Sequence, residues 1–270
     1  MEVIVGPDAA AVACRCAELI EQLVREKPGA TLGLATGRTM EPIYGALVER
    51  VTDGGLDLSG CRFFALDDYL GIPHDDPRSF RSVLKRLFLD RAGVPAGRAC
   101  FPDPLPGNLE EEAEAYEKAL AQAGGIDLQL LGLGENGHVG FNEPGSPFDS
   151  RTRAVELCSR TREQNACAFG GDPSRVPRLG MTMGVGTILE ARRCLLVVTG
   201  SAKAKVLAAA VEGPPTRTLP ASALQHHPCC TVIADEEAAA LLNDRDQYRA
   251  AFGSAGASPA ATLAAGGRGR

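Results

Sequence analysis

One alternation limits what this chain can fold into. Short runs rich in apolar and β-branched residues take turns with segments whose apolar residues recur at helical spacing, the pattern of strands and helices layered around a mainly parallel sheet. Residues 3–5 read as a first strand. Across residues 8–25, Val12, Cys16, Leu19, Ile20 and Leu23 mark one helix face, and Lys27-Pro28-Gly29 stops it. Residues 31–35 read as the next strand, residues 40–51 as a helix and residues 63–66 as a third strand that ends on Asp67-Asp68. Asn108 with Glu111 three positions later resembles a capping box, and Leu109, Ala113, Tyr116 and Leu120 then line one helix face up to Gly124-Gly125. Residues 126–133, 194–199 and 231–234 are nearly all apolar, as strands covered on both faces are, with a helix expected over 201–211. The fold class expected is therefore α/β, a three-layer αβα sandwich around a mainly parallel, Rossmann-like sheet.

A chain of 270 residues can form such a sandwich as one unit, and 44% apolar with 23% charged residues excludes a disordered or fibrous chain. No repeat or linker divides it, which gives one domain over 1–252. From 253 to 270 the residues are mostly Ala, Gly, Ser and Pro, ending Gly-Gly-Arg-Gly-Arg, and this tail is expected to be flexible. Lys plus Arg is 28 against 34 Asp plus Glu, a formal charge of −6, so no nucleic-acid partner is expected. Nine cysteines is an odd number in a chain that needs no disulfide framework, and they read as reduced. The start does not read as a secretory signal, so none is expected, and no run nears the roughly 20 apolar residues of a membrane span. A cytoplasmic protein without a membrane partner is the expectation.

In open α/β sheets, ligands bind beyond the carboxyl ends of the strands. Four segments carry polar clusters at such points. In Thr36-Gly37-Arg38-Thr39, Gly37 permits a tight turn, Thr39 offers a hydroxyl and the following helix start has free N–H groups, so the segment reads as an anion site or as an ordinary turn with an exposed arginine. Asp67-Asp68 follows a strand directly; adjacent carboxylates can raise each other's pKa and serve proton transfer, or they are a solvated turn. The segment 131–144 contains Gly132, Gly134 and Gly137 in a G-x-G-x-x-G spacing, but Gly140 and Pro144 disfavour the helix a dinucleotide site requires. What remains there is His138 and Glu143 in a glycine-rich loop beside Asn136 and Asn142, a set suited to proton transfer at a sugar oxygen, or else a surface histidine of the usual loop kind. Lys203, in Gly200-Ser201-Ala202-Lys203, lies in a first helical turn, where the helix dipole disfavours a cation unless an anion is bound, so the segment reads as a second anion site or as an exposed lysine. His226-His227-Pro228-Cys229-Cys230 fits no common zinc spacing and reads as structural or surface, with Cys230 entering the last strand.

Taken in order, these segments resemble the glucosamine-6-phosphate deaminase family, also called glucosamine-6-phosphate isomerases. The similarity covers about residues 3–242 and includes "LGLATGRT", "FFALDDYLGIP", "GLGENGHVGFNEPGSPFDSRTR", "VPRLGMTMGVGTILEAR" and "LPASALQHHP". The resemblance implies conversion of glucosamine 6-phosphate and water to fructose 6-phosphate and ammonia, with no metal or organic cofactor. It implies that His138 opens the sugar ring with Glu143 as its carboxylate partner and Asn136 beside it, and that Asp67 moves a proton between C2 and C1. Gly37, Thr39 and Lys203 match positions around the substrate phosphate, and Asp68, next to the base, is expected to bind substrate as well.

The departures are specific. Asn136 stands where many members carry Asp, and it cannot supply charge. Cys167 falls where a phosphate-contacting arginine is common, and Arg38, where many members have Gly or Ser, is expected to replace that guanidinium as a substrate-binding residue. Ser146 and Arg153 match part of a second phosphate site found at subunit contacts of allosteric members, but Val155 replaces its usual lysine; a homo-oligomer is left open. The competing readings are 6-phosphogluconolactonase-type lactone hydrolysis, deamination of another amino-sugar phosphate such as galactosamine 6-phosphate, and a non-catalytic sugar-phosphate sensor.

Overall fold

The computed structural model describes residues 1–254. Seven strands form one sheet in the order β1-β10-β9-β6-β2-β3-β5, and every pairing within it is parallel. They are β1 (Glu2–Gly6), β2 (Thr31–Leu34), β3 (Arg62–Ala65), β5 (Ala99–Cys100), β6 (Leu128–Gly132), β9 (Cys194–Val198) and β10 (Cys230–Asp235). All residues of β2 and β9 are buried, as parallel strands under helices on both faces must be. The expected α/β sandwich is the observed architecture.

Helix α1 (Ala9–Glu26) starts where the Asp8 carboxylate accepts the Ala11 N–H at 2.8 Å, and it buries Val12, Cys16, Ile20 and Leu23 toward the sheet and α2 (Glu41–Thr52). Helix α4 (Leu109–Gln122) is capped by Asn108, whose Oδ1 accepts from Glu110 and Glu111; the Glu111 carboxylate accepts from the Asn108 side-chain amide, so the box closes through side chains. Each fully buried Leu or Ile on these faces contributes about 1.5–3 kcal/mol by leaving water. The helix expected over 201–211 is a 3-10 turn, Ser201–Lys203, followed by α7 (Ala204–Glu212).

A second sheet departs from the expectation. Residues Asp67–Tyr69 are a strand, β4, in a three-stranded antiparallel sheet with β8 (Leu179–Thr182) and β7 (Arg153–Glu156). Asp67 and Asp68 are therefore buried ladder residues instead of an exposed turn. Helices α3 (Phe80–Leu84), which continues into a π turn at Lys85–Leu89, α5 (Ser159–Asn165), α6 (Val185–Leu189) and α8 (Arg245–Ser254) complete the elements. The tail expected over 253–270 lies outside the described residues apart from its first two, which end α8. Among the described residues no helix is long and apolar enough to cross a membrane.

The strand order locates the site. From β2 the chain moves outward through β3 to β5, then returns to β6 beside β2 and moves the other way to β9 and β10. The carboxyl ends of β2 and β6 thus flank a topological switch point, where two loops part and leave a crevice. The loops after β2, β3, β6 and β9 carry the four polar segments singled out above.

Candidate active site

Contacts between the loops join these segments into one neighbourhood. Thr39 Oγ1 lies 3.2 Å from Thr199 Oγ1, which fastens the loop after β2 to the loop after β9. Val206 and Leu219 close over Gly137, which seats the loop after β6 against the first turns of α7. The Phe141 N–H donates to Thr182 Oγ1 at 3.2 Å, and Thr182 is the cross-strand partner of Asp67. Asp67, His138 and Lys203 therefore gather at one edge of the sheet.

Within the loop after β6, the polar residues form a chain. Asn136 Oδ1 lies 2.6 Å from His138 Nδ1, and Asn136 Nδ2 donates to Glu143 Oε2 at 2.8 Å. An amide oxygen only accepts, so Nδ1 carries the proton and Nε2 is bare in the neutral ring. Direct contact between His138 Nδ1 and Glu143 is 3.9 Å, so the carboxylate reaches the imidazole mainly through the amide. Gly134 makes this possible: a Cβ there would lie 2.3 Å from the imidazole. Burial lowers the His138 pKa below its usual value; Glu143 and Glu135 oppose this, and Lys203 adds to it. Burial works to raise Glu143, but hydrogen bonds from Thr161, Cys158 and Asn136, with the charge of His138, outweigh it and hold the carboxyl below its ordinary range.

The paired aspartates have separate surroundings. Asp68 accepts N–H groups from Tyr69 (2.7 Å), Phe80 (2.8 Å) and Arg81 (2.9 Å), so both its oxygens anchor the start of α3. Asp67 is 5% exposed, and among the described residues its carboxylate accepts no hydrogen bond. Burial pushes Asp67 well above the carboxylate range, and the charge of Asp68 pushes the same way. Burial raises Asp68 as well, against the pull of its N–H donors. Two adjacent carboxylates thus differ by environment, one held by donors and one left with high proton affinity.

At the other end stand cations without counter-ions. Among the described residues, neither Lys203, half-buried, nor Arg38, exposed, pairs with a carboxylate. Burial lowers the Lys203 pKa, while Glu135 pulls it up and Arg38 and Arg160 push it further down. Gly37 has φ 117°, and the N–H groups of Gly37, Arg38 and Thr39 donate to nothing among the described residues. Free amides beside unpaired cations make a place for an anion.

Two further features surround these groups. Helix α5 lies over the loop after β6: Thr161 Oγ1 donates to Glu143 Oε1, and Arg160 pairs with Glu135 at 3.3 Å. Phe169 packs on Tyr69 with centroids 5.5 Å apart and lies under the Arg78 guanidinium. Cys167, in the 3-10 turn Ala166–Phe169, is exposed. Asn142, wholly buried, donates to Val139 O and Met183 O, and Arg153 donates to Asn142 Oδ1 at 2.9 Å and Ser146 Oγ at 3.1 Å.

The sequence model of the glucosamine-6-phosphate isomerase/6-phosphogluconolactonase family matches residues 8–233. The chain belongs to this family. Curated family members similar to it include the glucosamine-6-phosphate deaminases of Streptomyces avermitilis, 49% identical over 92% of this chain and 95% of that protein, and of Streptomyces coelicolor, 47% identical over the same shares. Among solved structures, a monomeric glucosamine-6-phosphate deaminase superposes with a TM-score of 0.87 at 37% identity, covering 89% of this chain and all of that one. The 6-phosphogluconolactonase of Trypanosoma cruzi superposes with a TM-score of 0.70 at 22% identity, over 90% and 97%, and shares the fold.

Thr161, Arg160 and Glu135 escaped the reading of the sequence, because their contacts join segments about 20 positions apart and no short motif spans them. Asn142 stood within the glycine-rich segment, but its neighbours there did not disclose its burial. Of the His226-His227 pair, His227 is structural: it is buried with Nε2 2.7 Å from Ala191 O, and its Nδ1 accepts the Cys229 N–H. Among the described residues no three His, Cys, Asp or Glu side chains converge as a metal would require.

Proposed function

We propose that this chain is a glucosamine-6-phosphate deaminase, converting glucosamine 6-phosphate and water to fructose 6-phosphate and ammonia. The supporting observation is the juxtaposition at one sheet edge of a donor-free buried carboxylate, an imidazole with a bare Nε2, and unpaired cations over free amides. The free N–H groups of residues 37–39, with Lys203 and Arg38, hold the phosphate. That anchorage fixes the sugar within reach of the proton-transfer groups, which supplies orientation. His138 Nε2 takes the proton from the anomeric hydroxyl and returns one to the ring oxygen, opening the pyranose. The Asn136 bridge to Glu143 stabilises the imidazolium that forms in between.

Asp67 then removes the proton from C2 and returns it to C1. The C1 carbonyl oxygen takes up the electron pair together with a proton from the C2 ammonium as the enolamine forms, and the iminium left at C2 once C1 is protonated adds water and releases ammonia. A carboxylate without donors is a stronger base than one in water, which suits a weakly acidic C–H. Asp68 acts one step removed, by fixing the start of α3 beside Asp67. All nine cysteines are free, which suits a reducing compartment.

The test is a coupled measurement of ammonia and fructose 6-phosphate from glucosamine 6-phosphate, beside parallel assays with galactosamine 6-phosphate and 6-phosphogluconolactone. Stoichiometric products from the first substrate, with Asp67→Asn inactive, are expected. Faster loss of the lactone, or binding of the sugar phosphate without turnover, would overturn the reading.

A further inference from the structure

The phosphate end of the site carries one carboxylate that the proposed reaction does not use. Glu135 projects from the same loop as His138, and its carboxylate pairs with Arg160 of α5 at 3.3 Å. Both side chains reach solvent, at 36% and 59% exposure, so the pair is weak and free to exchange partners. The loop carrying Glu135 is seated on α7 through Val206, one turn beyond Lys203, and the Thr39 to Thr199 contact brings the Arg38 loop to the same place. Glu135 accordingly faces two of these cations, Arg160 and Lys203, and Lys203 responds to its charge as well as to those of Arg38 and Arg160.

We infer that Glu135 is an internal counter-ion for the phosphate site and that Arg160 leaves it to bind the substrate phosphate together with Lys203 and Arg38. This rests on the phosphate-binding reading above. A carboxylate brings one negative charge, whereas a phosphate monoester near neutral pH carries close to two and offers three acceptor oxygens. Arg–phosphate hydrogen bonds are also bidentate and charge-assisted, which an exposed contact at 3.3 Å to a carboxylate does not match. Exchange therefore runs toward the substrate. It also draws α5 down, since Arg160 is adjacent to Thr161, which donates to Glu143. Glu135 meanwhile repels any anion too weakly charged to displace it, which makes the pair a filter for dianions.

The two partners must respond in opposite directions. Arg160→Gln is expected to raise KM for glucosamine 6-phosphate, and the dissociation constant of inorganic phosphate measured by calorimetry, by about tenfold each. Glu135→Gln removes the competing charge and is expected to lower both by about threefold. Unchanged constants in Arg160→Gln would overturn the inference, as would weakened phosphate binding in Glu135→Gln, the result a merely structural ion pair produces. Calorimetry with phosphate needs no turnover. It therefore reads the ion-pair exchange even in a protein that releases no ammonia, and a failure here is distinguishable from a failure of the proposed reaction.

Discussion

At the level of single residues, the feature that most distinguishes this site is the amide between His138 and Glu143. Because Asn136 accepts from Nδ1 and donates to Glu143, it sets the imidazole tautomer without placing a full charge against the ring. Asn136→Asp would place that charge there and favour the imidazolium. His138 acts as a base from its neutral form, so a raised pKa moves the ascending limb of the kcat/KM profile to higher pH. A pH–rate series on the variant checks this, and an unmoved limb would mean that His138 does not govern it. Asp67→Asn is expected to lower kcat by about 10³-fold, within the range for removing a general base. Asp68→Asn, keeping one acceptor oxygen for the α3 amides, loses less activity and shows its effect chiefly in stability.

At the level of elements, Glu117 ties three together. Its carboxylate, on α4, accepts the Thr152 N–H (2.8 Å) and hydroxyl (2.6 Å) just before β7, the Thr187 hydroxyl on α6 (2.6 Å) and an Arg151 guanidinium N–H (2.5 Å). Burial works to raise this carboxyl, but the two threonines and Arg151 outweigh it and leave the pKa lowered. A lowered folded pKa gives stability that is present above the ordinary carboxylate range and lost as pH falls through the folded value. Glu117→Gln should thus cost about 1–3 kcal/mol in urea unfolding at neutral pH, with the gap to wild type closing in acid. A gap that persists at low pH would show that shape, not charge, holds these elements. The contrast with the main sheet explains what was legible beforehand. Strands β2, β6, β9 and β10 announce themselves because a parallel strand buried on both faces must be a continuous apolar run. Strand β4 does not, because three residues reading Asp-Asp-Tyr have no strand periodicity and become a strand only through pairing with β8, more than 100 positions away. The Asn108 cap is local and was readable; α5 and its grip on Glu143 depend on a distant partner and were not.

For the whole molecule, the strand order makes a site out of four separate loops. Periodicity identifies strands but carries no record of which lie side by side, so the switch point between β2 and β6 emerges only in the folded chain. The polar segments at strand ends were readable as candidates; their convergence was not. Convergence brings a thermodynamic cost that falls on Asp67, buried without a hydrogen-bond donor among the described residues and next to a second carboxylate. The folded state holds the Asp67 proton more tightly than the unfolded chain does. As pH rises from the ordinary carboxylate range through the raised folded value, this residue therefore subtracts stability from the protein, opposite in sign to Glu117. Asparagine has nearly the same shape and no charge to desolvate. Asp67→Asn should accordingly unfold at higher urea than wild type at neutral pH while being inactive, with the two midpoints converging below about pH 4, where the carboxyl is protonated in both states. Equal midpoints at neutral pH, or a less stable variant, would show that Asp67 is stabilised in the fold after all, and the claim that its environment is built to raise its basicity would fail with it.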